Sequence, residues 1–234
     1  MYGGTQANEQ FGRQRDISRD GTTIVGCSTV TGRCKVYVYN GSDYVQKGAT
    51  INQPTTGESF GETVRISADG KRLAVGAHLA SSPGFTDNGC AYVYDFIGSA
   101  WQLTASLWGD STNARIGTGL AMSGDGKTIA ASYSNRVEIS KEVNGVWGKQ
   151  ALTGAGGSII DLNAGGDMLA IGWWEINGAS GMVLTFRYDG SSWATSGNIG
   201  TPYGGYFGRH LAIATVGSIT TVVAGSTNVN GGQG

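Results

Sequence analysis

Among its 234 residues the chain has three prolines, three cysteines, two histidines and 14% charged side chains, where about 25% charged is usual. Each scarcity excludes something. A net charge of -1 leaves no basic footprint for a phosphate backbone, so nucleic acid is not an expected partner. Three scattered Cys and the distant His78 and His210 do not make the paired spacing of a structural zinc site, and no metal or other cofactor is expected. No apolar run approaches the roughly 20 residues of a membrane span, and residues 1–10 (MYGGTQANEQ) lack both the basic start and the apolar stretch of a secretion signal. As written, the chain reads as soluble and not inserted in a membrane.

What it has instead is glycine, 41 residues of it, and a phrase repeated five times: ISRDGTTIVG at 17–26, ISADGKRLAVG at 66–76, MSGDGKTIAAS at 122–132, LNAGGDMLAIG at 162–172 and IATVGSITTVVAG at 213–225. Each copy is a predicted hairpin. The turn glycines Gly21, Gly70, Gly126, Gly166 and Gly217 lie 49, 56, 40 and 51 residues apart, the period of repeats that each supply one small antiparallel sheet. Ahead of each hairpin stands a Phe-Gly or its relic: Phe11-Gly12, Phe60-Gly61, Ile116-Gly117, Gly156-Gly157 and Phe207-Gly208. Apolar residues two apart (Val64 and Ile66, Leu120 and Met122, Ile160 and Leu162, Leu211 and Ile213) mark a first strand with one packed face. The run Leu73-Ala74-Val75 marks a second strand buried on both faces. A third strand returns (34–39, 90–94, 136–140, 182–188), and a fourth carries Tyr44, Trp101, Trp147 or Trp193 near its start. Four strands per repeat make one propeller blade.

The fold class is therefore all-β, a β-propeller with about five recognisable blade repeats, the last one incomplete. A single domain over 1–234 is expected, with repeats at about 11–54, 60–108, 116–153, 156–200 and, in part, 207–225. The fifth repeat lacks its third and fourth strands, which suggests a fragment of a longer propeller or a gap covered by another chain, since open strand edges are normally covered.

The order Phe-Gly, strand, Ser-x-Asp-Gly turn, Val75-Gly76-Ala77, then Tyr-Val-Tyr at 92–94 resembles the FG-GAP-type β-propeller repeat over most of the chain. The turn Ser67-Ala68-Asp69-Gly70-Lys71-Arg72-Leu73 is also similar to a hairpin of bacterial propellers related to WD40 repeats. Both resemblances imply a propeller. The calcium loop of the FG-GAP family does not carry over. It needs several oxygen ligands, and each turn here offers one carboxylate at most: Asp20, Asp69 and Asp125, with Ala164-Gly165 and Val216 in the other two repeats. A lone Asp before Gly serves the turn itself.

Cys27 and Cys34 flank the turn between two strands; a disulfide there would indicate an oxidising compartment, and the alternative is two buried thiols. Cys90 aligns with Cys34 one blade later, opposite Ala77. Asn40-Gly41-Ser42 matches a glycosylation sequon. Asp16 and Asp161 share one slot of the first strand, with Arg65 in the second blade, and read as ordinary polar residues facing the channel. Arg15 stands where other repeats have apolar residues.

Two insertions point to function. His78 to Gly89 enlarges the second blade and Trp173 to Gly178 the fourth, at the turn after the second strand. Aromatics beside Asn, Asp and Glu suit a surface that anchors a protein or stacks on a sugar, so His78, Phe85, Asp87, Trp174, Glu175 and Asn177 are the expected binding residues. On these grounds the chain is expected to be no enzyme but a binding or structural module, extracellular or on a virion or cell surface, engaging a protein partner or assembly through the enlarged face. A carbohydrate-binding adhesin or lectin is the alternative, with glycan as ligand. A glycoside hydrolase with a channel active site ranks last.

Overall fold

The structure, a computed structural model, describes residues 8–153, 155–174, 176, 180–200 and 205–227. The nineteen elements named within them are all strands, and the chain divides into two compact units, Met1–Leu120 and Ala121–Gly234. In the first, β1 (Gln14–Ile17), β2 (Thr23–Ser28), β3 (Arg33–Tyr39) and β4 (Tyr44–Gln46) form one sheet in that order, with the short β5 (Ile51–Asn52) also on β3. β6 (Val64–Ile66), β7 (Arg72–Ala77), β8 (Cys90–Ile97) and β9 (Ala100–Trp108) form the next. The sheet that opens the second unit holds β10 (Gly119–Met122), β11 (Thr128–Tyr133), β12 (Arg136–Val143) and β13 (Val146–Thr153). It is followed by β14 (Ile159–Leu162), β15 (Met168–Trp173), β16 (Met182–Tyr188) and β17 (Trp193–Gly200), and by a lone hairpin of β18 (His210–Val216) and β19 (Ile219–Gly225). Three four-stranded antiparallel blades, a first blade whose outer strand is split into β4 and β5, and a two-stranded fifth make a β-propeller fold.

The repeated turn folds through its own side chains. Ser18 Oγ donates to Asp20 Oδ1 (2.6 Å) and accepts the Thr23 N–H (2.9 Å), while Asp20 Oδ1 accepts the Thr22 N–H (3.0 Å). Ser67 with Asp69 and Ser123 with Asp125 repeat the pattern on Lys71, Arg72, Lys127 and Thr128. The fourth copy reaches the same end with other atoms: Asn163 Oδ1 accepts the N–H of Asp167 and Met168, and its Nδ2 donates to Asp167 Oδ1 (2.7 Å). These carboxylates are occupied by the turn, as an Asx-type support requires.

The Phe-Gly signature works differently. The residue ahead of it, Gln10, Ser59, Arg115 or Tyr206, is left-handed (φ 52°, 55°, 48° and 58°), and so is the glycine that ends it (Gly12, Gly61, Gly117 and Gly208). That kink lets the Gly61 N–H donate to Gly76 O (2.9 Å) and the Gly208 N–H to Gly225 O (3.0 Å), pinning the entry of each blade to its own second strand. It also brings successive backbones together: a Cβ on Gly208 would stand 3.0 Å from Gly172 Cα, and one on Gly117 3.3 Å from Gly76 Cα. In the first unit a Cβ on Gly61 would stand 2.9 Å from Cys27 Cβ. Cys27 thus takes the place of Gly76, and Cys34, its partner in the ladder, that of Ala91. The hairpin alignment that paired Cys34 with Cys90 is one residue out, because it matched Gly26 to Gly76 by residue type. Cys27 and Cys34 are joined by a disulfide, and Cys90 is free and buried.

Burial follows the pattern. Leu73, Ala74, Val75 and Ala77 of β7 are all inaccessible, and Leu73, Val75 and Ala77 lie in a core with Val25, Phe60 and Tyr92. The second unit packs Ile139, Ile160, Leu169, Ile171 and Phe186 together. The final hairpin buries Ile213 against Ala170 and Val183, while Val216, Ile219 and Val223 on its other side are exposed.

Candidate functional site

The loop that carries His78, Phe85 and Asp87 is a built structure. Asn88, wholly buried, accepts the Ser82 N–H on Oδ1 (3.0 Å) and donates through Nδ2 to Ser82 Oγ (2.8 Å) and Gly109 O (2.7 Å). The loop is fastened in turn to the stretch leading into Ile116-Gly117: the Asn113 N–H donates to Thr86 O (2.9 Å), the Arg115 N–H to Asp87 O (3.0 Å) and the Ile116 N–H to Asn88 O (3.3 Å). Asp87 and Arg115 are both left-handed, and Arg115 Nη2 lies 3.5 Å from Asp87 Oδ2.

This docking assembles a polar corner around His78. Burial depresses the imidazole pKa below its ordinary value, with Glu62 and Asp87 acting to raise it and Arg115 to lower it further. His78 Nδ1 and Arg115 Nε are both shielded from solvent and have no hydrogen-bond partner among the described residues. Each such atom costs on the order of 1–3 kcal/mol, a cost that a bound ligand or an ordered water would remove. A neutral imidazole beside a fixed guanidinium can take a proton from one atom while the cation stabilises charge on another.

Of the expected residues, His78 and Asp87 thus share a site. Phe85 is 41% exposed on the outside of the same loop. Trp174 belongs to the second unit, where its ring meets Tyr206 edge-on at 5.8 Å and carries the Arg209 guanidinium 5.5 Å away. Its repeat position matches that of His78, as Tyr206 matches Arg115, so the same corner is built twice, polar in one unit and stacked in the other. Glu175 and Asn177 lie outside the described residues. Glu62 and Arg115 were missed, although a signal exists: each flanks a Phe-Gly or its relic, on the linker that enters a blade.

The acidic pair assigned to the channel does other work. Asp16 Oδ2 accepts the Ile66 N–H (2.8 Å) and Asp161 Oδ2 the Ile213 N–H (3.0 Å), each clasping the first strand of the next repeat. Arg65 donates to Val64 O. Arg15 donates to Arg13 O and borders a cavity of about 520 Å³ with Phe11, Ile17, Ile24 and Tyr37.

No family model and no curated protein matches the sequence. Solved structures do match. A Bacteroides uniformis protein given the provisional name 6-phosphogluconolactonase superposes with a TM-score of 0.61 at 14% identity over 89% of this chain and 57% of its own. A Bacteroides fragilis protein of the same provisional name gives 0.61 at 18% over 85% and 58%. The periplasmic gluconolactonase of Pseudomonas aeruginosa gives 0.55 at 17% over 79% and 52%. The chain therefore spans little more than half the length of the structures it matches, and at these identities the likeness establishes the fold. The names nonetheless correct the expectation of a non-enzymatic binding or structural module, and with it the protein-binding and virion assignments: the matching propellers are named as lactone hydrolases. That expectation rested on the composition of the two insertions, and the corner at His78 draws its groups from one of them together with the linkers that enter two repeats.

Proposed function

We propose that the chain is the propeller part of a hydrolase that opens sugar lactones, with the corner at His78 as its reacting centre. The observation that carries this reading is the pair of unsatisfied buried atoms, His78 Nδ1 and Arg115 Nε, on two groups suited to ester-type hydrolysis. The names of the matching propellers supply the substrate class. His78, neutral at pH 7 because burial lowers its pKa, takes a proton from water as the hydroxide adds to the lactone carbonyl carbon. Arg115 holds the oxyanion. The ring C–O bond then breaks, the ring oxygen takes the proton back from His78, and a hydroxy acid leaves. Glu62 and Asp87 orient the imidazole and the guanidinium.

The test is hydrolysis of glucono-δ-lactone in excess of the spontaneous rate. His78→Ala should lower kcat by about 10²–10⁴-fold, the range for general acid–base groups, with the unfolding temperature retained. In the intact protein kcat/KM should rise with pH through an apparent pKa below the ordinary value near 6.5. Absence of excess hydrolysis by the folded chain, or full activity in the variant, would overturn the assignment. The same proposal places the protein in an oxidising compartment outside the cytoplasm, supported by the Cys27–Cys34 disulfide, and relates its repeat to the FG-GAP type, supported by the left-handed Phe-Gly entry common to four repeats.

A further inference from the structure

Two aromatic pairs at the same register position, one in each unit, have different surroundings. In the first, Phe96 pairs with Trp101 across β8 and β9, and the pair is covered by the chain itself. Trp101 Nε1–H donates to Lys47 O (2.8 Å), and Lys47 Nζ lies 4.9 Å from the Phe96 centroid and donates to Gly70 O. Gly48 is so close that a Cβ would stand 3.0 Å from Trp101 Cδ1 and 3.2 Å from Phe96 Cε2. This cover exists because the outer strand of the first blade breaks off after Gln46 and resumes only at Ile51.

In the second unit the pair is Tyr188 with Trp193, 5.5 Å apart across β16 and β17. The neighbouring outer strand β13 stays on β12 throughout its eight residues and never leaves to cover the rings. A groove of about 530 Å³ results, floored by Ile139, Val146, Gly148, Tyr188 and Trp193 with Lys141 at its side. Trp193 is 6% exposed. Gln150 fixes its backbone on both sides, accepting its N–H (3.1 Å) and donating to its carbonyl (3.4 Å). Its indole N–H, the equivalent of the one that Lys47 O satisfies, has no acceptor among the described residues. Lys141 Nζ stands 4.0 Å above the centre of the Tyr188 ring and pairs with no carboxylate among them, whereas Lys149 is paired to Glu138 at 2.8 Å.

We infer that this groove binds a small carboxylic acid carried on an apolar body. One N–H donor at the groove and one unpaired ammonium call for an anionic acceptor, and the aliphatic and aromatic floor calls for an apolar remainder, in a volume ordinary for a small-molecule site. A basic segment like Lys47–Gly48 would meet Lys141 as a like charge. Inorganic phosphate would leave the floor wet. The site is independent of the His78 corner, which lies in the other unit.

The probe is 4-phenylbutyrate, titrated into the full chain while the tryptophan indole N–H resonances are followed by NMR, with 4-phenylbutyramide and inorganic phosphate as comparisons. One indole N–H should shift saturably with the carboxylate, and the amide should bind about tenfold more weakly, the scale of a hydrogen bond to a charged partner. Lys141→Gln should bring the acid down to the affinity of the amide. Gly148→Phe should abolish the shift without loss of fold, because a Cβ there meets only Lys141 O at 3.9 Å and the ring enters the groove. Equal affinity for acid and amide, equal affinity for phosphate, or binding that survives in a folded Gly148→Phe protein would overturn the assignment.

Discussion

Replacing Asp161 by Ala should loosen the final hairpin before it loosens anything else in the second unit. β18 packs on β14 and β15, and its partner β19 contributes no third strand. A charge-assisted bond crosses from β14 to β18, from the Ile213 N–H to Asp161 Oδ2 (3.0 Å), and Ile213 is 7% exposed, so water does not readily replace the lost acceptor. A hydrogen bond to a charged group contributes about 1.5–3 kcal/mol, and a buried donor left alone is penalised on a similar scale. Asp161→Ala should therefore cost about 2–3 kcal/mol, and Asp161→Asn, which keeps a neutral acceptor in the same place, about 1 kcal/mol. Equilibrium unfolding in urea measures the total, and native-state amide exchange locates it, with protection lost first at Ile213 and its ladder partner Val222. A change within about 0.5 kcal/mol, the norm for an indifferent surface position, or exchange that accelerates equally in β14 to β17, would refute the clasp.

The clasp also shows where sequence reading succeeds and where it stops. The Ser-x-Asp-Gly turns were legible because every donor and acceptor lies within about five residues, so composition and spacing determine them together. The two-residue period placed Val64, Ile66, Ile160 and Leu162 on packed faces for the same local reason. Asp16 and Asp161 could be seen to share a slot, but not that each reaches a backbone N–H about fifty residues on, because repeat periodicity fixes a residue within its blade and says nothing of the next blade's register. The His78 corner was half legible. His78 and Asp87 stood out within an insertion, while Glu62 and Arg115 join them only because Asn88 folds that insertion back on the following linker. Trp101 and Trp193 occupy one slot but meet different neighbours from the preceding blade, Lys47 in one case and Gln150 in the other, which the slot does not specify.

That difference predicts unequal losses. Trp193→Ala should cost about 3–5 kcal/mol, the range for a buried aromatic, and Trp101→Ala, half-buried beneath Lys47, about 1–3 kcal/mol; equal losses in urea melts would show that the difference in burial between the two rings has no energetic consequence. Asp16 should reveal itself through pH. Burial is the leading influence on its carboxyl and raises its pKa, against the lowering effects of the Ile66 N–H and Arg65. A raised pKa means that the folded chain holds this proton more tightly than the unfolded one, whose value is near 3.9. Ionised Asp16 therefore counts against the fold at neutral pH, and stability is gained as pH falls through the raised value, the gain being complete below the unfolded one. Asp95 and Asp125, whose pKa values are lowered, act in the opposite sense, since their stabilisation is present above the unfolded pKa and fades on acidification. The contribution of Asp16 is isolated by comparing the intact chain with Asp16→Asn in urea at pH 7, 5.5 and 4. The stability difference should move in favour of the intact chain as the pH is lowered, and a movement the other way would mean that the bond to Ile66 outweighs the burial of the charge.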